Sequence, residues 1–353
     1  MNSDNPTARF TRRLDLALPI IQAPMAGWQA GALAAAVCGA GGLGSVPGAM
    51  LSPQALADEA KVARATARGP LNLNFFAHRQ PAFDAEREAA WRAALRPYYE
   101  EFGVDASSIA AAPGRLPFGD EACDVVEALR PEVVSFHFGL PSAALLERVR
   151  RTGAQVWSSA TTLDEALTLA AQGVDAIVAQ GVEAGGHRGM FLSDDIATQV
   201  GTMALVPQIA AAVDVPVIAA GGIADARGVA AALALGAAGV QVGTAYLLCP
   251  EATTSAVHRA ALGSDAARHT ALTNLFTGRP ARGIVNRVMR ELGPLSDLAP
   301  AFPLAGAALA PLRAWAEARG SGDFSPLWSG QNASGCKAVP AAQLTRELCA
   351  GLG

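Results

Sequence analysis

Residues 176–189, reading AIVAQGVEAGGHRG, concentrate the groups in this chain best suited to chemistry. An apolar run, 176–179, leads into Gln180-Gly181 and then Glu183-Ala184-Gly185-Gly186-His187-Arg188-Gly189. Histidine is the side chain whose ordinary pKa lies nearest neutrality, so it can serve as base, acid or hydrogen-bond partner. Glycines on either side let the backbone turn sharply and let a flat ligand approach with no Cβ in the way. A strand that ends in glycines and delivers one histidine is how a barrel enzyme presents a reactive group. His187 is therefore the candidate catalytic residue. Arg188 next to it is expected to be solvated or to pair with a carboxylate such as Glu183. His137, between two phenylalanines in SFHFGLP, reads as a hydrogen-bonded core residue, and His78, His258 and His269 fall away from strand ends.

These residues need elements to position them. Marking short apolar runs gives eight strand-like segments: 18–22, 42–46, 71–76, 133–138, 155–159, 176–180, 215–220 and 239–244. Runs such as PVIAA show no polar alternation, as expected of parallel strands covered on both faces. Helical patterns follow most of them, at 30–38, 52–68, 142–151, 163–172, 203–213 and 225–235. Eight strands, most of them followed by a helix, predict a (β/α)8 TIM barrel. An open dinucleotide-binding sheet is disfavoured, because no G-x-G-x-x-G opens a helix after an early strand.

Two stretches break the repeat. Residues 77–124 are too long for an ordinary loop and carry an amphipathic helical pattern over 83–102, interrupted at Pro97. They predict a helical insertion after the third strand. Beyond Pro250, helical patterns at 252–262, 284–292 and 305–319 flank an ordered loop at 275–283 and predict a C-terminal helical cap. The expected organisation is a barrel over 1–260 interrupted by the insertion 77–124, a cap or substrate domain over 261–327, and a segment over 328–353 that returns to the barrel.

Composition narrows the function. Of 353 residues, 51% are hydrophobic and only 16% charged, which excludes a disordered chain. A net charge of −4 with no basic block gives no support for nucleic-acid binding. No clean apolar run of membrane-spanning length and no secretory signal is visible, so a cytoplasmic protein is expected. Five widely spaced cysteines without C-x-x-C, and no H-E-x-x-H or G-x-S-x-G, argue against a metal site, a disulfide framework or a serine hydrolase.

Barrel active sites lie at the C-terminal ends of the strands. Pro24, Met25 and Ala26 fall there, with Asn74, His137, Ser158, Ser159, Gln180, Gly185, Gly186 and His187. The last two strands end in Gly221-Gly222 and Gln241-Val242-Gly243-Thr244, where a barrel commonly holds a phosphate on backbone N–H groups. Amide side chains can both donate and accept, so Asn74 and Gln180 suit the polar edge of an isoalloxazine ring. A phosphate at one side and amides at another suit flavin mononucleotide (FMN).

The sequence resembles the nitronate monooxygenases, once called 2-nitropropane dioxygenases, of the bacterial class I type. The resemblance covers nearly the whole chain. PIIQAPMAG (19–27), LNLNFF (71–76), VVSFHFGLP (133–141), GVDAIVAQGVEAGGHRG (173–189), VPVIAAGGIAD (215–225), GVQVGTAYLL (239–248) and FTGRPARG (276–283) carry it. It implies FMN at the barrel top, touched by Asn74, Gln180, Gly185, Gly222, Gln241, Gly243 and Thr244, with Pro24, Met25 and Ala26 along the ring. His187 matches the family's active-site histidine, and WSGQNAS (328–334), with Gln331, resembles a segment that folds back over the flavin. The implied reaction is oxidation of an alkyl nitronate by O2 to a carbonyl compound and nitrite, with propionate 3-nitronate the implied substrate and detoxification the role. A positively charged or hydrogen-bonding His187 would hold the nitronate or deprotonate a neutral nitroalkane. A monomer or homodimer is expected. Three other readings stay open: an NAD(P)H-dependent flavin reductase for quinones or enoyl thioesters on the same barrel, a flavin- or phosphate-binding protein without turnover, and a synthase-type barrel that binds phosphorylated sugars without flavin.

Overall fold

The computed structural model describes residues 5–65, 69–105, 109 and 115–352. Among them, eight parallel strands form one sheet in the order β1 (Ile20–Gln22), β9 (Gly239–Val242), β8 (Val217–Ala220), β6 (Ala176–Gln180), β5 (Gln155–Ala160), β4 (Val133–His137), β3 (Leu71–Phe76), β2 (Gly44–Pro47). The two ends meet. Leu43 lies beside Ile21, its N–H donates to Ile20 O at 2.9 Å, and Gln22 N–H donates to Leu43 O at 2.9 Å. The sheet is thus a TIM barrel, closed at this seam by a bridge rather than a full ladder. β3, β6 and β8 are buried along their whole length, which explains why their sequences show no polar alternation.

The barrel helices are α2 (Gly31–Gly39), α3 (Pro53–Ala65), α5 (Asp120–Leu129), α6 (Ala143–Arg151), α7 (Leu163–Ala171), α8 (Thr202–Ala212) and α9 (Ala226–Ala234). The far end of the 52–68 helix lies outside the described residues. α5 begins inside the stretch 77–124, so the last residues of that stretch belong to the barrel's own helix after β3. The first helix, α1 (Pro6–Arg13), has no counterpart in the eight repeats. It plugs the barrel floor: Phe10 is buried with Ile21, Trp157 and Ile218, and its ring lies 5.7 Å from that of Trp157.

The insertion and the cap pack as one body. Helix α4 (Ala85–Phe102) runs straight through Pro97 instead of breaking there. Tertiary packing outweighs the lost backbone bond: Trp91 Nε1 donates to Ala305 O at 3.1 Å and Tyr99 OH to Ala308 O at 2.7 Å. Phe102 stacks on Trp315 at 4.0 Å. After α10 (Ala256–Leu262), these contacts set α4 against α12 (Gly306–Glu317), with α11 (Arg287–Glu291) closing the cluster around Val288 and Met289. The cap is not wholly helical. Strands β10 (Thr270–Thr273) and β11 (Ala281–Ile284) form an antiparallel hairpin, and β11 also pairs with a two-residue strand, β7 (Gly186–His187). The stretch 275–283, expected as a loop, therefore ends in a strand. No described helix is long and apolar enough to cross a membrane.

Candidate active site

His187 leaves β6 through a glycine turn and is then fixed from three sides. Its backbone is strand β7, paired residue for residue with Ala281. Its carbonyl accepts from Gln180 Nε2 at 2.9 Å and lies 3.1 Å from His137 Nε2. His137 Nδ1 in turn lies 3.0 Å from Ser159 Oγ. A carbonyl only accepts, so His137 carries its proton on Nε2 and takes the serine hydroxyl on Nδ1. The His187 ring itself meets Thr277 Oγ1 through Nε2 at 3.0 Å.

Aromatic rings surround that imidazole. Phe302 and Trp328 lie 5.4 and 5.6 Å away, and Phe76 and Phe138 each 6.0 Å. Phe138 holds a φ of 72°, a left-handed conformation that costs a side-chain-bearing residue about 1–3 kcal/mol. Burial, and then the positive charge of Arg115, push the His187 pKa well below its ordinary value. Burial likewise holds His137 down at about 4. Both imidazoles are neutral at neutral pH, so His187 is a base and hydrogen-bond partner there. Of the two roles the sequence allowed it, a positively charged or a hydrogen-bonding group, this surround suits the second, because a charge would be stranded among apolar and cationic groups.

A cavity opens beside His187 at the strand ends. Pro24, Met25, Ala26, Asn74, Gln180, Gly185, Gly186, Gly221, Gly222, Gln241, Gly243 and Thr244 all line it with His187. Three expected residues do not: Ser158 is fully buried and donates to Gly139 O at 2.9 Å, and Val242 and Gln331 also fall outside the lining. Val242 is packed in the barrel core, since its side chain points away from the mouth in the two-residue alternation of β9. Gln331 is exposed and reaches the site only through its N–H, which donates to Glu183 O at 2.9 Å. Its neighbours Gly330 and Asn332 line the cavity instead. Sequence reasoning missed Trp28, Phe76, Arg115 and Ser135, which also line it. Phe76 ends a strand already marked and Ser135 lies in the middle of another; nothing local pointed to Arg115.

Arg188 is a second correction. It is fully buried, not solvated, and forms no ion pair with Glu183 among the described residues. Its guanidinium donates to Gln180 O at 2.6 Å, Gly181 O at 2.7 Å and Gln199 Oε1 at 2.7 Å. It ties off carbonyls where β6 ends, that of Gly181 being shared with Ala184 N–H at 3.0 Å. Burial and the nearby Arg282 lower its pKa to about 9. Glu183 instead accepts from Thr202 N–H at the start of α8, at 2.9 and 3.0 Å.

The segment after the cap runs back across the barrel mouth. Ser329 N–H donates to Arg282 O at 3.2 Å, Gly330 N–H to Thr244 Oγ1 at 3.0 Å, and Asn332 Nδ2 to Gly222 O at 3.0 Å. Gly185 must lack a side chain for this approach. A Cβ there would stand 2.5 Å from Gly330 N and 2.6 Å from Ser329 C.

The fold and this cavity define a TIM-barrel enzyme with a buried imidazole at the strand ends, under a cap. The family model for nitronate monooxygenase matches residues 10–351. A nitronate monooxygenase of Pseudomonas aeruginosa is 43% identical, over 97% of this chain and 98% of its own. One from Paraburkholderia phytofirmans is 42% identical, over 94% and 91%. The solved nitroalkane oxidase of Streptomyces ansochromogenes superposes with a TM-score of 0.87 at 37% identity, covering 97% of both chains. The chain belongs to the nitronate monooxygenase family and is an oxidoreductase. That kinship supports nitronate oxidation as its chemistry.

Proposed function

We propose that this chain is an FMN-dependent nitronate monooxygenase that converts alkyl nitronates, propionate 3-nitronate foremost, with O2 to a carbonyl compound and nitrite, as a detoxifying step in the cytoplasm. The observation that carries the reading is His187: a neutral imidazole, held at 3.0 Å by Thr277 and facing an open cavity beside cationic groups.

The residues fit a flat ring with a phosphate tail. Gly186 has a φ of +72°, and the place of its absent Cβ is open space. Gly221 and Gly222 take φ values of +126° and +70°, and among the described residues no acceptor meets their N–H groups or that of Gly243. Such a row of N–H groups is an anion cradle. Asn74 spends its Nδ2 on Ser135, at 2.9 Å to Oγ and 3.2 Å to O, which leaves its Oδ1 to accept. Gln241 lines the cavity and makes no side-chain hydrogen bond among the described residues, so its amide is available. Bound there, the flavin would supply the electron acceptor that passes electrons from substrate to O2.

This chain's own groups do the rest. The neutral His187 takes the α-proton from a nitroalkane, or donates a hydrogen bond to a nitronate oxygen. Phe76, Phe138, Phe302 and Trp328 keep water from the ring and from the substrate. Purified protein would show a flavin spectrum, release FMN on denaturation, and consume O2 with nitrite release from propionate 3-nitronate without NADH. A flavin spectrum with no nitronate turnover, but anaerobic bleaching by NADH, would move the chain to the reductase reading. His187→Asn should keep the flavin and lose about 100-fold or more in turnover of neutral nitroalkanes; unchanged rates would remove His187 from the mechanism.

A further inference from the structure

Arg115 lies beyond the repeats and motifs that marked the site. It lines the His187 cavity, and it also lines a larger groove outside it, between the 115–122 segment and the cap helix α12. It is the guanidinium common to both. Its charge acts on His187 more strongly than that of His137 or Arg279.

Among the described residues Arg115 has no anionic partner. Its Nε is buried without a hydrogen-bond acceptor, and its NH2 group reaches only the Met50 sulfur at 3.6 Å, a weak acceptor. Its carbonyl is used by His78 Nε2 at 3.1 Å, which fixes the backbone that carries it. The other cations nearby are held by protein groups, although Arg279 Nε is likewise buried without an acceptor. Arg313, in the groove, pairs with Glu317 at 2.8 Å. Arg279 donates to Met190 O and lies 4.2 Å over the Phe138 ring. A guanidinium half-withdrawn from water, with five donors and no acceptor opposite, is strongly biased towards a planar oxyanion. A nitronate is a planar oxyanion; its conjugate nitroalkane is not charged.

Resting on the nitronate reading above, we propose that Arg115 is the specificity residue that makes this site select the anionic nitronate over the neutral nitroalkane, by holding substrate oxygens at the mouth of the His187 cavity. It acts in binding, whereas His187 acts on the proton. A charge-assisted pair of this kind gives about 10- to 100-fold in affinity.

The test uses the flavin-loaded enzyme and its Arg115→Gln and Arg115→Lys variants. Nitrate, a planar oxyanion that cannot react, is titrated against the flavin absorption band. Its Kd should rise about 10-fold or more in Arg115→Gln and recover in part in Arg115→Lys. In turnover, kcat/KM for ethyl nitronate should fall by a similar factor, mostly through KM, and by clearly more than kcat/KM for nitroethane. An unchanged nitrate Kd, or equal losses on nitronate and nitroethane, would overturn the assignment. Flavin content and melting temperature equal to wild type show that folding is not at issue; if Arg115→Gln loses flavin, the Arg115→Lys comparison decides. Failure of the wild type to turn over any nitronate would sink the functional reading instead, and nitrate binding would still report on Arg115.

Discussion

Gln180 offers a sharp test of how the site is held. Its side chain spans the His187 turn: Nε2 donates to His187 O at 2.9 Å and Oε1 accepts from Gly189 N–H at 2.8 Å. It is buried, so neither bond is replaced by water when the side chain is removed. In Gln180→Leu, His187 O keeps His137 as a donor, but Gly189 N–H is left without an acceptor. A hydrogen bond lost outright costs about 0.5–1.5 kcal/mol, and a buried donor left unsatisfied about 1–3 kcal/mol. The sum is roughly 2–4 kcal/mol, concentrated on the turn that presents the imidazole. Urea unfolding should register that loss, and kcat with nitroethane should fall about 10- to 100-fold as His187 loses its set position. Because Gln180 acts through His187, the effects must not add. The double variant Gln180→Leu with His187→Asn should be no slower than His187→Asn alone. Additive losses, or stability within about 0.5 kcal/mol of wild type, would show that the bridging geometry is not what positions the histidine.

Three further outcomes follow from the same geometry. Thr277→Val removes the 3.0 Å partner of His187 Nε2 and should lower kcat for nitroethane by about 10-fold with KM little changed; Thr277→Ser should restore most of it. Gly185→Ala places a Cβ against the backbone of Ser329 and Gly330, so the returning segment must shift; a loss of about 1–3 kcal/mol in stability and weaker flavin retention are expected, read by urea unfolding and ultrafiltration. Burial holds His137 and His258 at about 4, while in the unfolded chain each titrates near 6.5. Above about 6.5 both states are neutral; as pH falls from there towards about 4 the unfolded chain takes up protons first, so stability is lost across that window. At about pH 5 the loss is roughly 2 kcal/mol for each histidine, and a urea midpoint that stays flat between about pH 7.5 and 5 would contradict it.

Much of the site could be read from local pattern because barrel strand ends are local objects. The run before Gln180 marked β6, the glycines after it marked a turn, and the fold rule then placed His187 at the mouth. The same logic brought Asn74, Gln241 and the Gly221-Gly222 pair to one cavity. It failed where one residue decides between facing in and facing out. Val242 sits between Gln241 and Gly243, both in the lining, yet alternation along β9 turns it into the core. In the returning segment the lining passes from Gly330 to Asn332 and skips Gln331, whose side chain turns to solvent in a stretch with no strand to signal it.

What the sequence determined by itself is the barrel, its register of strand ends and the place of His187 at its mouth. Those depend on burial periodicity and turn chemistry within a few residues. Tertiary structure decided everything that depends on groups far apart in the chain. It paired β7 with β11, so the FTGRPARG stretch holds His187 from behind. It buried Arg188 on the carbonyls at the end of β6, where the sequence suggested solvent or a carboxylate. It joined the insertion helix α4 to the cap helix α12, carrying the chain straight through Pro97. And it set Arg115 beside His187 without an acidic partner among the described residues. A side chain's charge can be read one residue at a time; whether that charge is solvated, paired or left waiting for an anion depends on which distant segments enclose it.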